Sequence, residues 1–213
     1  MNDQQEELAM TDVIDHTETD VRERILVTAE RLFREIGYQK TTVADIAKAL
    51  RMSPANVYRF FDSKKSINAG VARRLMGEVE QASQVIVRKP DRAAARLREL
   101  FETMHRMNCE RYAGDSKMHE MVAVAMEENW DVCQKHIDWL IGVTADVIGD
   151  GVASGEFYTL DIGGTALCVL TAMLRFIHPQ FIAEFADKPT ATLDQMIDFV
   201  LTGLSAPGHP QVA

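Results

Sequence analysis

The chain has 213 residues, enough for one or two domains with a buried core. Apolar residues make up 46% and charged residues 26%, a balance that excludes an intrinsically disordered chain. Net charge is −9, but it is unevenly placed. Residues 20–75 carry twelve Lys/Arg against six Asp/Glu, whereas the rest carries eleven against twenty-six. A basic module on an acidic body points to an anionic partner for the first part only. No apolar run approaches the roughly 20 residues that span a bilayer, so no membrane partner is expected. The acidic start, "MNDQQEELAMTDVIDHTETD", lacks the basic and apolar stretches of a secretory signal. Cys109, Cys133 and Cys168 are odd in number and widely spaced, which argues against a disulfide framework and for a cytoplasmic location.

Residues 1–18 hold six acids and no base and read as a disordered tail. A first helix is expected near Thr19 or Asp20, with Asp20 and Glu23 as a capping box and Gly37 as its stop. A second helix starts at Thr42, with Asp45 three residues on and Val43, Ile46, Ala47 and Leu50 facing inward. "RMS" is a three-residue turn. Ser53 caps a third, short helix and Pro54 takes its first position, where a missing N–H costs nothing. Val57 and Phe61, four apart, face the core.

From Ser63 a long helix runs to about Val87, with Ile67, Val71, Leu75 and Val79 on one stripe. The pattern then stays helical. "DRAAARLRELFETMHRMNCERY", "KMHEMVAVAMEEN" and "WDVCQKHIDWLIGVTADVIGDGVASG" are successive helices. The third has Cys133, Ile137, Leu140, Ile141, Thr144, Val147 and Ile148 on one face. "LDIGGTALCVLTAMLRFIHP" and "ATLDQMIDFVLTGL" are the last two, and "SAPGHPQVA" reads as a disordered tail. No segment shows a strand period. The fold class is all-α: a helix-turn-helix domain over 19–66, a helical body over 67–205, and tails at 1–18 and 206–213.

Two short helices joined by a three-residue turn form a helix-turn-helix, whose second helix enters the major groove of DNA. With Val57 and Phe61 inside, the outer face carries Ala55, Asn56, Tyr58 and Arg59. Asn and Arg hydrogen-bond base edges or phosphates, and Tyr58 offers a ring and a hydroxyl to the backbone. Thr42 and Lys64 sit at helix N-termini, which favour phosphate. The alternative is a surface helix that merely packs between its neighbours.

"TTVADIAKALRMSPANVYRFFDSKKSI" resembles the DNA-binding signature of the TetR family, the tetracycline-repressor-like transcriptional regulators. "ILVTAERLFREIGYQKTT" before it resembles the family's first helix. The resemblance implies nine or so helices, a homodimer, and repression at a pseudo-palindromic operator relieved by an unknown small-molecule effector. It places Thr42, Tyr58 and Lys64 on phosphate-contacting positions and Asn56 where a Thr contacts backbone or base. Ser53, Ala55, Arg51 and Arg59 complete the expected DNA set. Arg51 departs from the family's turn Gly, which forces a non-Gly residue into that backbone conformation. Pro54 and Ala55 replace a Lys-Gly-like pair, and Phe60 replaces a His.

No nucleophile elbow, Gly-rich phosphate loop or HExxH occurs, so no catalysis is expected. The rival class is a helical adaptor that binds only protein; DNA affinity that falls with salt separates the two. Met104, Met107, Met121, Trp130, Trp139, Met173 and Phe176 are candidates to line an effector pocket, against the plainer reading that they fill the core. His105, His119 and His136 are candidates to hold a divalent metal; the plainer reading makes them surface or hydrogen-bonded histidines. Gly163, Gly164, Ala166 and Ala172 on one late helix, and Leu193, Met196, Ile197, Val200, Leu201 and Leu204 on the last, are expected at a dimer interface.

Overall fold

The computed structural model describes residues 3–185, 188 and 191–205, with side chains from residue 18 onward. The expected C-terminal tail, 206–213, lies outside the described residues. Ten helices make up the described chain: α1 Asp3–Ile36, α2 Val43–Ala49, α3 Pro54–Tyr58, α4 Lys64–Val87, α5 Ala93–Tyr112, α6 Ser116–Glu128, α7 Trp130–Ala153, α8 Ile162–Ile177, α9 Pro179–Glu184 and α10 Leu193–Leu204. The only β feature among the described residues is an isolated bridge between Phe157 and Ser205.

Helix α1 begins at Asp3 and runs through most of the segment expected to be a disordered tail. No Gly or Pro interrupts it, and its early Gln, Glu, Leu, Ala and Met are good helix formers. The expected capping box at Asp20 and Glu23 does not form. Asp20 pairs with Arg24 at 3.9 Å, and Glu23 reaches across to Arg74 of α4 at 2.5 Å. The other end is as expected: Gly37 takes a φ of 94° and its N–H bonds to the Phe33 carbonyl at 2.9 Å.

Two cores meet along α4. The N-terminal core gathers Ile25, Ala29 and Phe33 of α1, Val43 and Ile46 of α2, Val57 of α3 and Phe61. It does not stop at residue 66. Ile67, Val71 and Leu75 of α4, Tyr112 of α5, and Met118 and Met121 of α6 belong to it. The second core starts at Val79 of α4 and fills the space between α5, α7, α8 and α10. Cys133, Thr144, Val147 and Ile148 of α7 are buried as the periodicity predicts, with Val132 and Val143 beside them.

The last helices correct the expected dimer face. Ala166 of α8 and Ile197, Val200 and Leu204 of α10 pack inside the protomer's own core. Gly163, by contrast, is exposed, and it is joined on the outward strips by Leu167, Thr171 and Leu174 of α8 and Phe199 of α10, the last 72% exposed. The short α9 has no counterpart in the sequence expectation. Pro179 opens it at the first helical position, after His178 has ended α8.

Candidate nucleic-acid interface

The recognition end is built from local signals. Thr42 caps α2: its hydroxyl donates to the Asp45 carboxylate at 2.6 Å and accepts the Asp45 N–H at 3.1 Å. Asp45 returns the bond by accepting the Thr42 N–H at 2.9 Å. These bonds hold the Asp45 carboxyl below its usual range. A cap of this kind is worth about 1 kcal/mol to a helix of two turns. Ser53 caps α3 by accepting the Asn56 N–H at 3.2 Å, and Ser63 does the same for α4 with the Ser66 N–H at 3.1 Å.

Between α2 and α3, Arg51 takes a φ of 56°, the one non-Gly residue with positive φ among those described. This is the conformation the turn demands, held against the usual cost of a left-handed side chain.

Val57 is fully buried beneath α3 and Phe61 beneath its end, so the opposite face is fixed outward. It presents Ser53, Ala55 and Arg59 exposed, Asn56 half-buried and Tyr58 48% exposed. Around it stand Lys40, Lys48, Arg51, Arg59 and Lys65, all exposed. None of these five makes an ion pair within the described residues, whereas Arg31, Arg34 and Arg74 on α1 and α4 are all paired with carboxylates. The basic module therefore holds both cations that brace it and cations without an ion pair; the five at this rim are joined in that by Arg22 of α1 and Arg73 of α4. The sequence pattern does not single out Lys40 and Lys48. Their position beside Thr42 and Asp45, on the rim of α2, is the signal that marks them.

Lys64 departs from the expectation. Its ammonium donates to the carbonyls of Tyr38 at 2.9 Å and Gln39 at 3.3 Å and lies 4.3 Å from the centre of the Tyr38 ring. It braces α4 against the turn after α1, so its charge reaches the rim through a side chain that already has partners.

The body contains an apolar cavity of about 140 Å³ between α4, α5, α6 and α7, closed by the end of α8. Of the seven residues expected to line a pocket, Met121 lines this one. Met104 and Met173 are instead fully buried in the second core and Met107 and Trp139 pack against it, while Phe176, buried at its edge, lines a second cleft. Trp130 is 49% exposed at the start of α7. Their spacing puts them on helix faces; which face meets a void is decided by the packing of other helices. The lining also includes Leu75, Asn108, Cys133 and His136, of which periodicity marks Leu75 and Cys133 as inward-facing.

The three histidines do not converge on a metal. His136 bonds Glu80 of α4 at 2.7 Å through Nδ1. His105 Nδ1 lies 2.7 Å from the Phe176 carbonyl. His119 sits on α6 with neither ring nitrogen bonded. Among the described residues no group of three or more His, Cys, Asp or Glu is placed to hold a metal ion. His105 turns toward α8 and His136 toward Glu80 of α4, so the rings do not share a centre.

Helix α6 ties the body to the recognition end. Asp115 caps it and also accepts from Arg34 of α1 at 3.1 Å. Lys117 donates to the Glu35 carbonyl, and Glu120 accepts the Gln39 N–H at 3.3 Å.

With this geometry in view, two family models match. One, described as bacterial regulatory proteins of the tetR family, covers residues 25–69. The other, a tetracyclin repressor-like C-terminal domain, covers residues 93–196. The chain is 47% identical over 47 residues to the biofilm operon icaADBC HTH-type negative transcriptional regulator IcaR of Staphylococcus aureus. That match spans 22% of this chain and a quarter of the relative, 25%. The HTH-type transcriptional regulator YhgD of Bacillus subtilis is 26% identical over 202 residues, covering 88% of this chain and 98% of the other. Among solved structures, the regulator PfmR of Thermus thermophilus superposes with a TM-score of 0.56 at 25% identity, over 85% of this chain and 99% of that one. Among the described residues no helix is long and apolar enough to cross a membrane.

Proposed function

Because the chain belongs to the TetR family of transcriptional regulators, we propose that it is a homodimeric repressor released from its operator by a small-molecule effector. The observation that carries this reading is the outward face of α3, ringed by five exposed cations that make no ion pair within the described residues. Ala55, Asn56, Tyr58 and Arg59 meet the groove, with Thr42, Arg51, Ser53 and Lys64 toward the phosphates. Phosphate contacts set affinity and its salt dependence, and base contacts from Asn56 and Arg59 set preference.

The outward strips of α8 and α10 supply the dimer. Leu167 and Leu174 beside Phe199 form an apolar face on adjacent helices, and a two-fold axis through it makes a four-helix bundle. Two copies of α3 then read successive major grooves, about 34–36 Å apart, on a pseudo-palindromic site. The domain division follows the two cores: residues 19–66 with the first part of α4 form the DNA unit, and the rest forms the effector and dimer body. A protein with this task works in the cytoplasm, where the DNA is.

The effector reading rests on the apolar cavity beside Met121 and on α6. This helix lines the cavity and grips the end of α1 through Asp115, Lys117 and Glu120. A ligand that displaces α6 shifts α1 and with it the distance between the two recognition helices.

The test uses the full chain. Selection of bound fragments from a genomic library yields a pseudo-palindrome, and log affinity for it falls linearly with log salt. A chain that enriches no sequence and shows no salt slope is a protein-binding adaptor instead. Sedimentation at micromolar concentration gives a dimer; a monomer there removes the operator geometry.

A further inference from the structure

A second opening, sharing no lining residue with the apolar cavity, lies on a neighbouring face of α5. The sequence places His105 and Cys109 one turn apart on α5, His119 on α6, and Arg175 and Phe176 at the end of α8. The fold brings them together with Phe181 and Phe185, around a cleft of about 570 Å³. That volume is within the range of small-molecule sites.

Its charge is unusual for this chain. No Asp, Glu or Lys lines it, although the protein as a whole carries −9. Arg175 makes no ion pair among the described residues. One of its Nη groups donates to the Phe185 carbonyl at 3.3 Å, and its Nε is shielded from solvent without a partner. The guanidinium is held between rings instead, 4.8 Å from the centre of Phe185 and 5.4 Å from that of Phe176. His119 is shielded at both ring nitrogens, and neither has a partner. Unpartnered polar atoms out of water are rare in native proteins and mark a missing partner.

The other two polar groups satisfy each other. His105 donates through Nδ1 to the Phe176 carbonyl at 2.7 Å, which leaves Nε2 to accept from the Cys109 thiol at 3.5 Å. Burial pushes that thiol above its ordinary range, so it is no ready thiolate for a metal or an electrophile. The unmatched donors are thus one guanidinium edge and one imidazole, set against phenyl walls. A carboxylate matches that edge in a bidentate way. A phosphate dianion does not, because one fixed positive charge leaves half of it uncompensated out of water.

We propose that this cleft binds a small organic carboxylate with an aromatic or branched apolar body, the carboxylate on Arg175 and hydrogen-bonded by His119. The site is separate from the apolar cavity. The two share no lining residue, and between their α5 faces the helix is pinned to α8 through His105 and through Asn108, whose amide donates to the Ile177 carbonyl at 2.6 Å. Binding here does not depend on the DNA reading. If that reading holds, His119 gives the cleft its own hold on α6.

The experiment is calorimetric titration of the full chain with phenylacetate, 4-methylpentanoate, their two neutral amides, and inorganic phosphate. At least one carboxylate binds saturably with one site per chain. Its amide binds about tenfold more weakly or worse, since an ionic hydrogen bond is lost. Phosphate does not bind. Arg175→Gln loses about tenfold or more, Arg175→Lys recovers part of it, and His119→Gln weakens binding several-fold. Leu160→Ala, exposed and outside the cleft, leaves it unchanged. Circular dichroism checks each variant, and His119→Gln with the amide comparison carries the test if Arg175→Gln fails to fold. The proposal falls if neither carboxylate binds up to about 10 mM, a range that covers even weak sites. It also falls if the amides bind equally well, or if the folded Arg175 and His119 variants bind as the parent does.

Discussion

The two ends of this molecule leave basic side chains unpaired in opposite directions. At the α2–α3 end they point out: Arg51, Arg59 and Lys65 stand in water with no carboxylate, where an unpaired charge costs little. In the body they point in: Arg175 Nε and both nitrogens of His119 are shielded and unmatched, where each costs free energy until a partner arrives. An exposed unpaired array suits a large polyanion that brings its own shape. An enclosed pair suits one small anion. Between them runs α6, with its cap on α1 and its flank on both openings.

The largest effect expected comes from the junction. Tyr112 belongs to the N-terminal core although it ends α5, and burial pushes its hydroxyl up to about 12, with Arg111 opposing and Glu30 adding to the rise. A folded-state value above the ordinary 10 favours the neutral form in the fold. That stability is complete below pH 10 and is lost as pH rises toward 12, by about 3 kcal/mol over those two units. Urea titrations at stepped alkaline pH should show the loss, and Tyr112→Phe should make that slope shallower, leaving the smaller part due to Tyr38, Cys109 and Cys133, which burial also raises. An unchanged slope in Tyr112→Phe would mean that the hydroxyl is not sealed between the two cores.

Next comes Arg59→Ala. Removing an outward cation with no partner should cost DNA binding about 1–3 kcal/mol and change the preferred site. It should shift folding stability by less than about 0.5 kcal/mol. Fluorescence anisotropy and thermal melting read the two separately. A stability loss equal to the binding loss would place Arg59 among the structural cations and erase the contrast between the two ends.

How much of this is legible in the sequence follows the range of the forces. Thr42 with Asp45, Ser53 with Pro54, and the pair Val57 and Phe61 act within one turn, and the structure has them as the spacing predicts. Arg51 can be assigned its left-handed backbone because the resemblance places it where the family's turn has Gly. The start of α1 misleads because acidity reads as disorder; a run without Gly or Pro continues as helix when its far end is anchored. The pocket residues are illegible for another reason. Met104 and Met121 have the same chemistry and similar patterning, yet one fills a core and the other borders a void. That difference is set by α7 and α8, which are distant in sequence. The pairing of His136 with Glu80 across 56 residues is of the same kind.

Asp115→Ala probes the helix between the two ends. It removes the cap that accepts the Lys117 and Met118 N–H groups at 3.2 and 3.1 Å, and the partner of Arg34. Stability should fall by about 1 kcal/mol. Operator affinity should become less responsive to any effector, because α6 has lost a grip on α1. A variant that loses the stability but keeps the full response would route the signal through Lys117 or Glu120 alone.

The smallest and most discriminating change is Arg51→Gly, because its two consequences have opposite signs. A φ of 56° costs a side-chain-bearing residue about 1–2 kcal/mol relative to ordinary backbone. Glycine removes that strain but adds about 0.5–1 kcal/mol of unfolded-state entropy. The variant should therefore match the parent in stability or exceed it by at most about 1 kcal/mol. On DNA it loses one free cation at the rim. The slope of log affinity against log salt should become shallower by about one unit, with site preference unchanged. Stability that drops would show that the Arg51 side chain has a structural partner. An unchanged salt slope would mean that this turn faces away from the phosphates, so that α3 enters the groove at a different tilt.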